Sequence, residues 1–148
     1  MNERHQEEIE ESDAEFYPSA DSWVRENNNV FLIGSHCSNC GKHAFPQQSF
    51  CDECGNRVEF RSIRLSNTGT LYSFSEVYIA PKSFTVPYVI GYIDLPEGIR
   101  VCGQIDHRAE ELKLEEPVEV VLGVIRTTEA GQRVISYKFR KKGDTSHA

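Results

Sequence analysis

The feature that most constrains this chain is a pair of matched cysteine turns. Cys37-Ser-Asn-Cys40-Gly41 and Cys51-Asp-Glu-Cys54-Gly55 repeat one pattern, with ten residues between Cys40 and Cys51. A C-x-x-C turn sets two sulfurs on one side of a metal, and two such turns facing each other supply the four corners of a tetrahedral zinc site. Glycine after the second cysteine suits the left-handed backbone that closes such a turn. Cys37, Cys40, Cys51 and Cys54 are therefore the expected ligands of one structural zinc ion. Two disulfides are disfavoured if the chain resides in a reducing cytoplasm, and a single redox pair does not explain two matched turns. A rubredoxin-type iron site uses the same sulfur geometry and stays open. Four sulfurs fill the coordination shell, so the flanking His36 and His43 are not expected as ligands. Phe45-Pro46 and Phe50 are expected to pack under the metal. The fifth cysteine, Cys102, reads as a small buried hydrophobe in a strand.

The segments around these turns read as mainly β. Ser19 to Asn27 is expected as a short helix, capped by Ser19 or Asp21, with Trp23 and Val24 facing inward and three asparagines ending it. Val30 to Ile33 is a short strand entering the cysteine region. Beyond the cysteines come five strand-like runs: Gly69 to Ala80, Tyr88 to Leu95, Ile99 to Asp106, Val118 to Thr127 and Arg133 to Lys141. A Pro96-Glu97-Gly98 turn joins the second to the third, and a turn containing Gly131 joins the last two. His107 to Leu114 has helical composition and falls between the third and fourth. Five strands with that interruption match the order of an OB-fold barrel; an SH3-like barrel or small sandwich gives a similar string. The expected division is an acidic arm over 1–17, helix and zinc ribbon over 18–62, an OB-fold over 63–141 and a tail over 142–148.

Charge narrows the function classes. The chain carries a net −7, and residues 1–26 hold nine acids and two bases, so that stretch accounts for all of it. The rest is balanced, with a local basic cluster of Arg133, Lys138, Arg140, Lys141 and Lys142. The aromatics Tyr72, Phe74, Tyr78 and Phe84 are capable of stacking bases, but strand-binding OB surfaces pair stacking with a basic groove, which this balance does not offer. The acidic arm fits neither a secretory nor a mitochondrial leader, and no apolar run is long enough to span a bilayer; the expectation is a cytoplasmic protein without a membrane segment. No nucleophile elbow, phosphate loop or HExxH motif is present, and a four-sulfur zinc has no open position for water.

Cys37-x-x-Cys40-Gly41, Phe45-Pro46, Cys51-x-x-Cys54-Gly55 and the run Gly69-Thr70-Leu71-Tyr72-Ser73-Phe74 together resemble the DUF35 family. The likeness continues through Pro87-Tyr88, Asp94-Leu95-x-x-Gly98 and Tyr137-Lys138-Phe139-Arg140, and covers roughly residues 18 to 141. The family joins a rubredoxin-like zinc ribbon to an OB-fold and is associated with acyl-CoA chemistry. The resemblance implies a non-catalytic accessory subunit in a hetero-oligomer with a thiolase-fold enzyme that cleaves a β-oxoacyl-CoA; a benzoylsuccinyl-CoA thiolase of aromatic compound degradation is one such setting. It implies as an alternative a partner of MaoC-like enoyl-CoA hydratase type. Acyl-CoA is then met through the partner, with no nucleic acid and no membrane. The loop Ala80 to Pro87 is Pro-bounded and apolar, in the place where OB-folds tend to bind. Lys82 and Phe84 in that loop, with Arg133 and Lys138, are the candidate residues for the partner face or the CoA entrance, with Phe84 expected to be exposed.

Overall fold

A computed structural model describes residues 15–17, 20–55 and 60–143, omitting the side chains of Phe16 and Phe60. The acidic stretch 1–14 and the tail 144–148 lie outside the described residues. Ten strands follow in chain order: β1 (Glu15–Phe16), β2 (Trp23–Glu26), β3 (Asn29–Cys37), β4 (His43–Ala44), β5 (Phe60–Arg64), β6 (Thr68–Val77), β7 (Tyr88–Asp94), β8 (Arg100–Ile105), β9 (Pro117–Thr127) and β10 (Arg133–Lys141).

The expected helix over Ser19–Asn27 is instead a 3-10 turn, Ala20–Ser22, running straight into β2. The asparagines explain the difference. Asn27 and Asn28 both take positive φ, 53° and 70°. Two successive left-handed residues make a tight hairpin turn whose twist matches its flanking strands, and asparagine tolerates that conformation. Trp23 to Glu26 therefore folds back on Leu32 to Asn29 in antiparallel register. The asparagines join two strands rather than terminate a helix.

β3 is long because it serves two neighbours in succession. Its first half pairs with β2, and its second half with β4 and β5, Cys37 lying opposite Phe60. β5 has no sequence signature of its own; Arg61, Ser62 and Arg64 are polar, and its strand state is imposed by the β3 ladder.

β6 to β10 close into a barrel. β6–β7 and β7–β8 are antiparallel, β8 meets β10 in parallel at Ile105 and Phe139, β10–β9 is antiparallel, and β9 returns to β6. This is the five-stranded Greek-key closure of an OB-fold. β6 reaches both of its neighbours because its register shifts between Leu71 and Ser73, an irregularity that bends the strand. The 3-10 turn Ala109–Glu111 sits in the connection from β8 to β9, where helical composition is expected.

One apolar core runs through both parts. Val30 and Leu32 of β3 belong to the same buried cluster as Leu71, Ile93, Val118 and Phe139 of the barrel, with Leu65 between them. Burying a side chain of this size contributes roughly 1.5–3 kcal/mol, so β3 is anchored to the barrel by its own hydrophobic face. Among the described residues, no helix is long and apolar enough to cross a membrane.

Candidate metal centre and binding surface

The cysteine turns form two near-identical knuckles. Gly41 N–H donates to the Cys37 carbonyl at 2.6 Å, and Gly55 N–H to the Cys51 carbonyl at 2.7 Å. Both glycines are left-handed, φ 84° and 76°. That conformation carries a penalty of roughly 1–2 kcal/mol for a residue with a Cβ, which is the local reason for glycine at both positions.

The knuckles meet face to face. Cys37 Sγ lies 3.6 Å from Cys54 Sγ, and Cys40 Sγ lies 3.5 Å from Cys51 Sγ, each pair joining one knuckle to the other. All four sulfurs lie within 4.8 Å of one another. A tetrahedral zinc with Zn–S of ~2.3 Å implies S···S separations of about 3.8 Å, whereas a disulfide requires about 2.05 Å. The cluster suits one zinc ion, and the cysteines are free thiols. A hydrogen bond from the Lys42 backbone lowers the Cys40 thiol, but crowding by Cys51, Cys37 and Cys54 outweighs it and pushes Cys40 up to about 12. Zinc bound there is closed by four sulfurs, leaving no position for a reacting water.

Polar contacts brace the assembly. Asn39 Nδ2 reaches Cys54 Sγ at 3.4 Å, and Lys42 Nζ of the first knuckle meets Asp52 and Glu53 of the second at 2.8 and 3.4 Å. The His36 and His43 rings pack against each other, centroids 4.5 Å apart and planes tilted by 36°, outside the sulfur cluster. The packing under the metal differs from expectation. Ala44 fills that place. Phe45 instead turns to the barrel and meets Tyr137, and Phe50 is 45% exposed. The reason is β4: its pairing to β3 points Ala44 at the sulfurs, leaving Phe45 free to reach the barrel core.

The other candidate residues are dispersed. Lys82 is exposed. Phe84 is half-buried rather than exposed, stacked on Tyr88 at 5.5 Å. Arg133 is paired with Glu15 at 2.8 Å, through which β1 is held beside β10. Lys138 points into the protein, its side chain 13% exposed. Arg140 of the basic cluster is likewise paired, with Glu119 at 2.9 Å. Cys102, expected to be buried, is exposed on β8, because Val101 takes the inward position beside it. Burial nevertheless pushes its thiol up, the opposite of an activated nucleophile.

The surface feature that sequence reasoning missed is the start of the β6–β7 loop. Ile79 is 92% exposed, beside Tyr78 and across the loop from the exposed Val86. The signal was present as an aromatic and a branched residue between strand end and Pro81, but it read as the continuation of the strand.

Comparison with known proteins agrees with this architecture. Residues 32–61 match a family model described as the ChsH2 rubredoxin-like zinc ribbon domain, and residues 62–123 match the ChsH2 C-terminal OB-fold domain. The chain is 36% identical over 126 residues to the benzoylsuccinyl-CoA thiolase subunit BbsA of Thauera aromatica, covering 85% of this chain and 87% of that one. It is 39% identical over 124 residues to a DUF35 domain-containing scaffold protein of Methanocaldococcus jannaschii, covering 82% and 87%. The solved structure of an Ltp2-ChsH2(DUF35) aldolase superposes with a TM-score of 0.58 at 23% identity, over 75% of this chain and 84% of that one, and so shares the fold. With a closed four-sulfur ribbon joined through one core to a five-stranded barrel, and with relatives of this identity over most of its length, the chain belongs to the DUF35 family.

Proposed function

We propose that this chain is a non-catalytic accessory subunit of a thiolase-type complex, docking on a thiolase-fold enzyme that cleaves a β-oxoacyl-CoA. It stabilises that enzyme and shapes its acyl-CoA site. The observation that carries this reading is Ile79, 92% exposed beside Tyr78 on a loop next to the barrel. Tyr78, Ile79 and Val86 expose apolar surface together on this loop, and apolar and aromatic anchors dominate binding energy at protein interfaces. Likeness to a benzoylsuccinyl-CoA thiolase subunit over 85% of the chain supports the class of partner. The closed sulfur site supports a structural metal, leaving the catalytic groups to the partner. Lys82 and Phe84 on the same loop, with Arg133 and Lys138 on β10, are the residues we assign to the partner face or the acyl-CoA entrance.

The experiment is affinity purification of the tagged chain from its native cells, with mass spectrometry of proteins recovered in stoichiometric amount, beside the variant Ile79→Asp. The fold tolerates the variant because the side chain faces water. A thiolase-fold protein with the wild type, lost by roughly tenfold or more with the variant, is the expected result. A hydratase in its place changes the reaction served. Recovery of nucleic acid released by salt, with no protein partner, overturns the reading.

A further inference from the structure

Each knuckle sets one of its sulfurs inward and the other outward. Cys37 and Cys51 are buried, whereas Cys40 and Cys54 are exposed. The close sulfur contacts join the two kinds. Exposed Cys54 lies 3.6 Å from buried Cys37, and exposed Cys40 lies 3.5 Å from buried Cys51. Both contacts cross from one knuckle to the other. A shell of four sulfurs leaves no position for a reacting water, but it does not shield the outward sulfurs from solvent. Metal ligation holds them as thiolates. An accessible thiolate beside a second sulfur is the arrangement of a reversibly oxidised cysteine pair, in which the first is attacked and the second resolves it. Here that arrangement occurs twice.

The knuckles are also held face to face by contacts that do not involve the metal. Lys42 Nζ of the first reaches Asp52 and Glu53 of the second at 2.8 and 3.4 Å, and Asn39 Nδ2 donates to Cys54 Sγ at 3.4 Å. Within each knuckle a backbone hydrogen bond and a left-handed glycine keep the turn closed. Bringing a cross-knuckle pair to the disulfide length of about 2.05 Å is therefore a small approach of two preformed turns. A bond between the two cysteines of one knuckle has to distort the turn itself.

We infer that the ribbon is a reversible oxidation site for hydroperoxides, with Cys40 and Cys54 as the attacked sulfurs and Cys51 and Cys37 as their resolving partners. The attacked thiolate takes one peroxide oxygen as the O–O bond breaks. The other oxygen leaves as water after taking up a proton, and the sulfur becomes a sulfenic acid. The resolving thiolate then displaces the sulfenic oxygen, which leaves with a second proton as water, and the S–S bond forms. Each pair gives up two electrons to one peroxide. The disulfides Cys37–Cys54 and Cys40–Cys51 leave no thiolate ligand, so the chain releases its cation. A dithiol reverses the change by exchange. The oxidised ribbon keeps its fold, because each new bond links the two turns that the metal linked and restrains their unfolding. The barrel is untouched: Cys37 and Cys51 form a buried cluster apart from the main core, and Cys102 lies outside the four-sulfur group. Oxidation requires no partner chain, so the inference is independent of docking.

The test treats the zinc-loaded full chain with hydrogen peroxide in modest excess. A chromogenic chelator reads the zinc released. Free thiols are then alkylated, and unreduced tryptic peptides are mapped by mass spectrometry. Trypsin cuts after Lys42, between the knuckles, so a cross-knuckle disulfide leaves two peptides joined and a bond within a knuckle leaves them separate. Release of one zinc per chain is expected, with the two peptides joined, fragmentation assigning Cys37–Cys54 and Cys40–Cys51, and Cys102 alkylated. Hydrogen exchange is expected to find the Gly41 and Gly55 amides still protected in the oxidised chain. Dithiothreitol with zinc is expected to restore the starting metal content. Cys102→Ser, outside the ligand set, is expected to change neither the zinc released nor the mapped pairs. Bonds within a knuckle, bonds to Cys102, zinc retained through the treatment, loss of protection at both glycines, or oxidation that the dithiol does not reverse each overturn the inference.

Discussion

Phe45 meets Tyr137 edge to face, ring centroids 5.7 Å apart and planes at 82°. Phe45 follows β4 in the ribbon and Tyr137 lies on β10 of the barrel, so this contact ties the metal-bearing loop to the fold that supports it. Tyr137 in turn meets Phe139, a fully buried residue of the core, at 6.1 Å. Replacing Phe45 by alanine is expected to destabilise the chain by about 1–3 kcal/mol, below the full range for a buried phenylalanine because the ring is half-buried. Urea unfolding reads the loss, and a cycle with Tyr137→Leu should show coupling of at least ~0.5 kcal/mol. Additive effects of the two substitutions would mean that the rings do not hold the ribbon to the barrel.

Metal removal should separate the two parts. Cys37 and Cys51 form their own small buried cluster, distinct from the main core. Chelation, or Cys51→Ser, is therefore expected to abolish hydrogen-exchange protection at the Gly41 and Gly55 amides while Val89 and Phe139 stay protected, since binding free energy in such sites is local folding free energy. Metal analysis of the untreated chain should return one zinc per chain. Simultaneous loss of protection in the barrel would show that the two parts unfold as one unit.

The β2–β3 hairpin makes a prediction at one residue. Asn28 sits at φ 70°. Valine there is expected to cost about 1–2 kcal/mol, and glycine to be neutral or slightly stabilising. Thermal melts of the two variants check it; an equal effect of valine and glycine would contradict the turn geometry.

Glu111 sets part of the acid limb of stability. The Arg108 backbone N–H donates to its carboxylate at 3.0 Å and holds the carboxyl below the usual range, with His107 at 3.5 Å adding to the effect. A carboxyl depressed in the folded chain stabilises it above the ordinary carboxylate range, and that contribution disappears as pH falls through the folded value. Glu111→Gln should therefore melt below the wild type at pH 7, with the gap closing as pH falls below about 4. A gap that widens on acidification would reverse the assigned sign.

The sequence by itself determined the metal site and most of the barrel. Each knuckle packs its ligands and its left-handed glycine into five residues, so its geometry is local and readable. The runs Tyr88 to Leu95 and Val118 to Thr127 declare strands by composition, and Pro96-Glu97-Gly98 declares the turn after the first of them. Tertiary structure decided the rest. Trp23 to Glu26 became a strand because Asn29 to Leu32 offered it a ladder, and Phe60–Arg64, with its polar Arg61, Ser62 and Arg64, because the far half of β3 did the same. Phe84 stacks on Tyr88, while Tyr78, Ile79 and Val86 of the same loop are exposed. Glu15 and Arg133 meet across 118 positions of sequence, and Lys138 faces Asp106 and Arg126 only once the barrel closes. Local dihedral preferences act over a few residues and are written in the chain. Which face of a strand or loop meets solvent depends on partners distant in sequence, and is settled only when they pack.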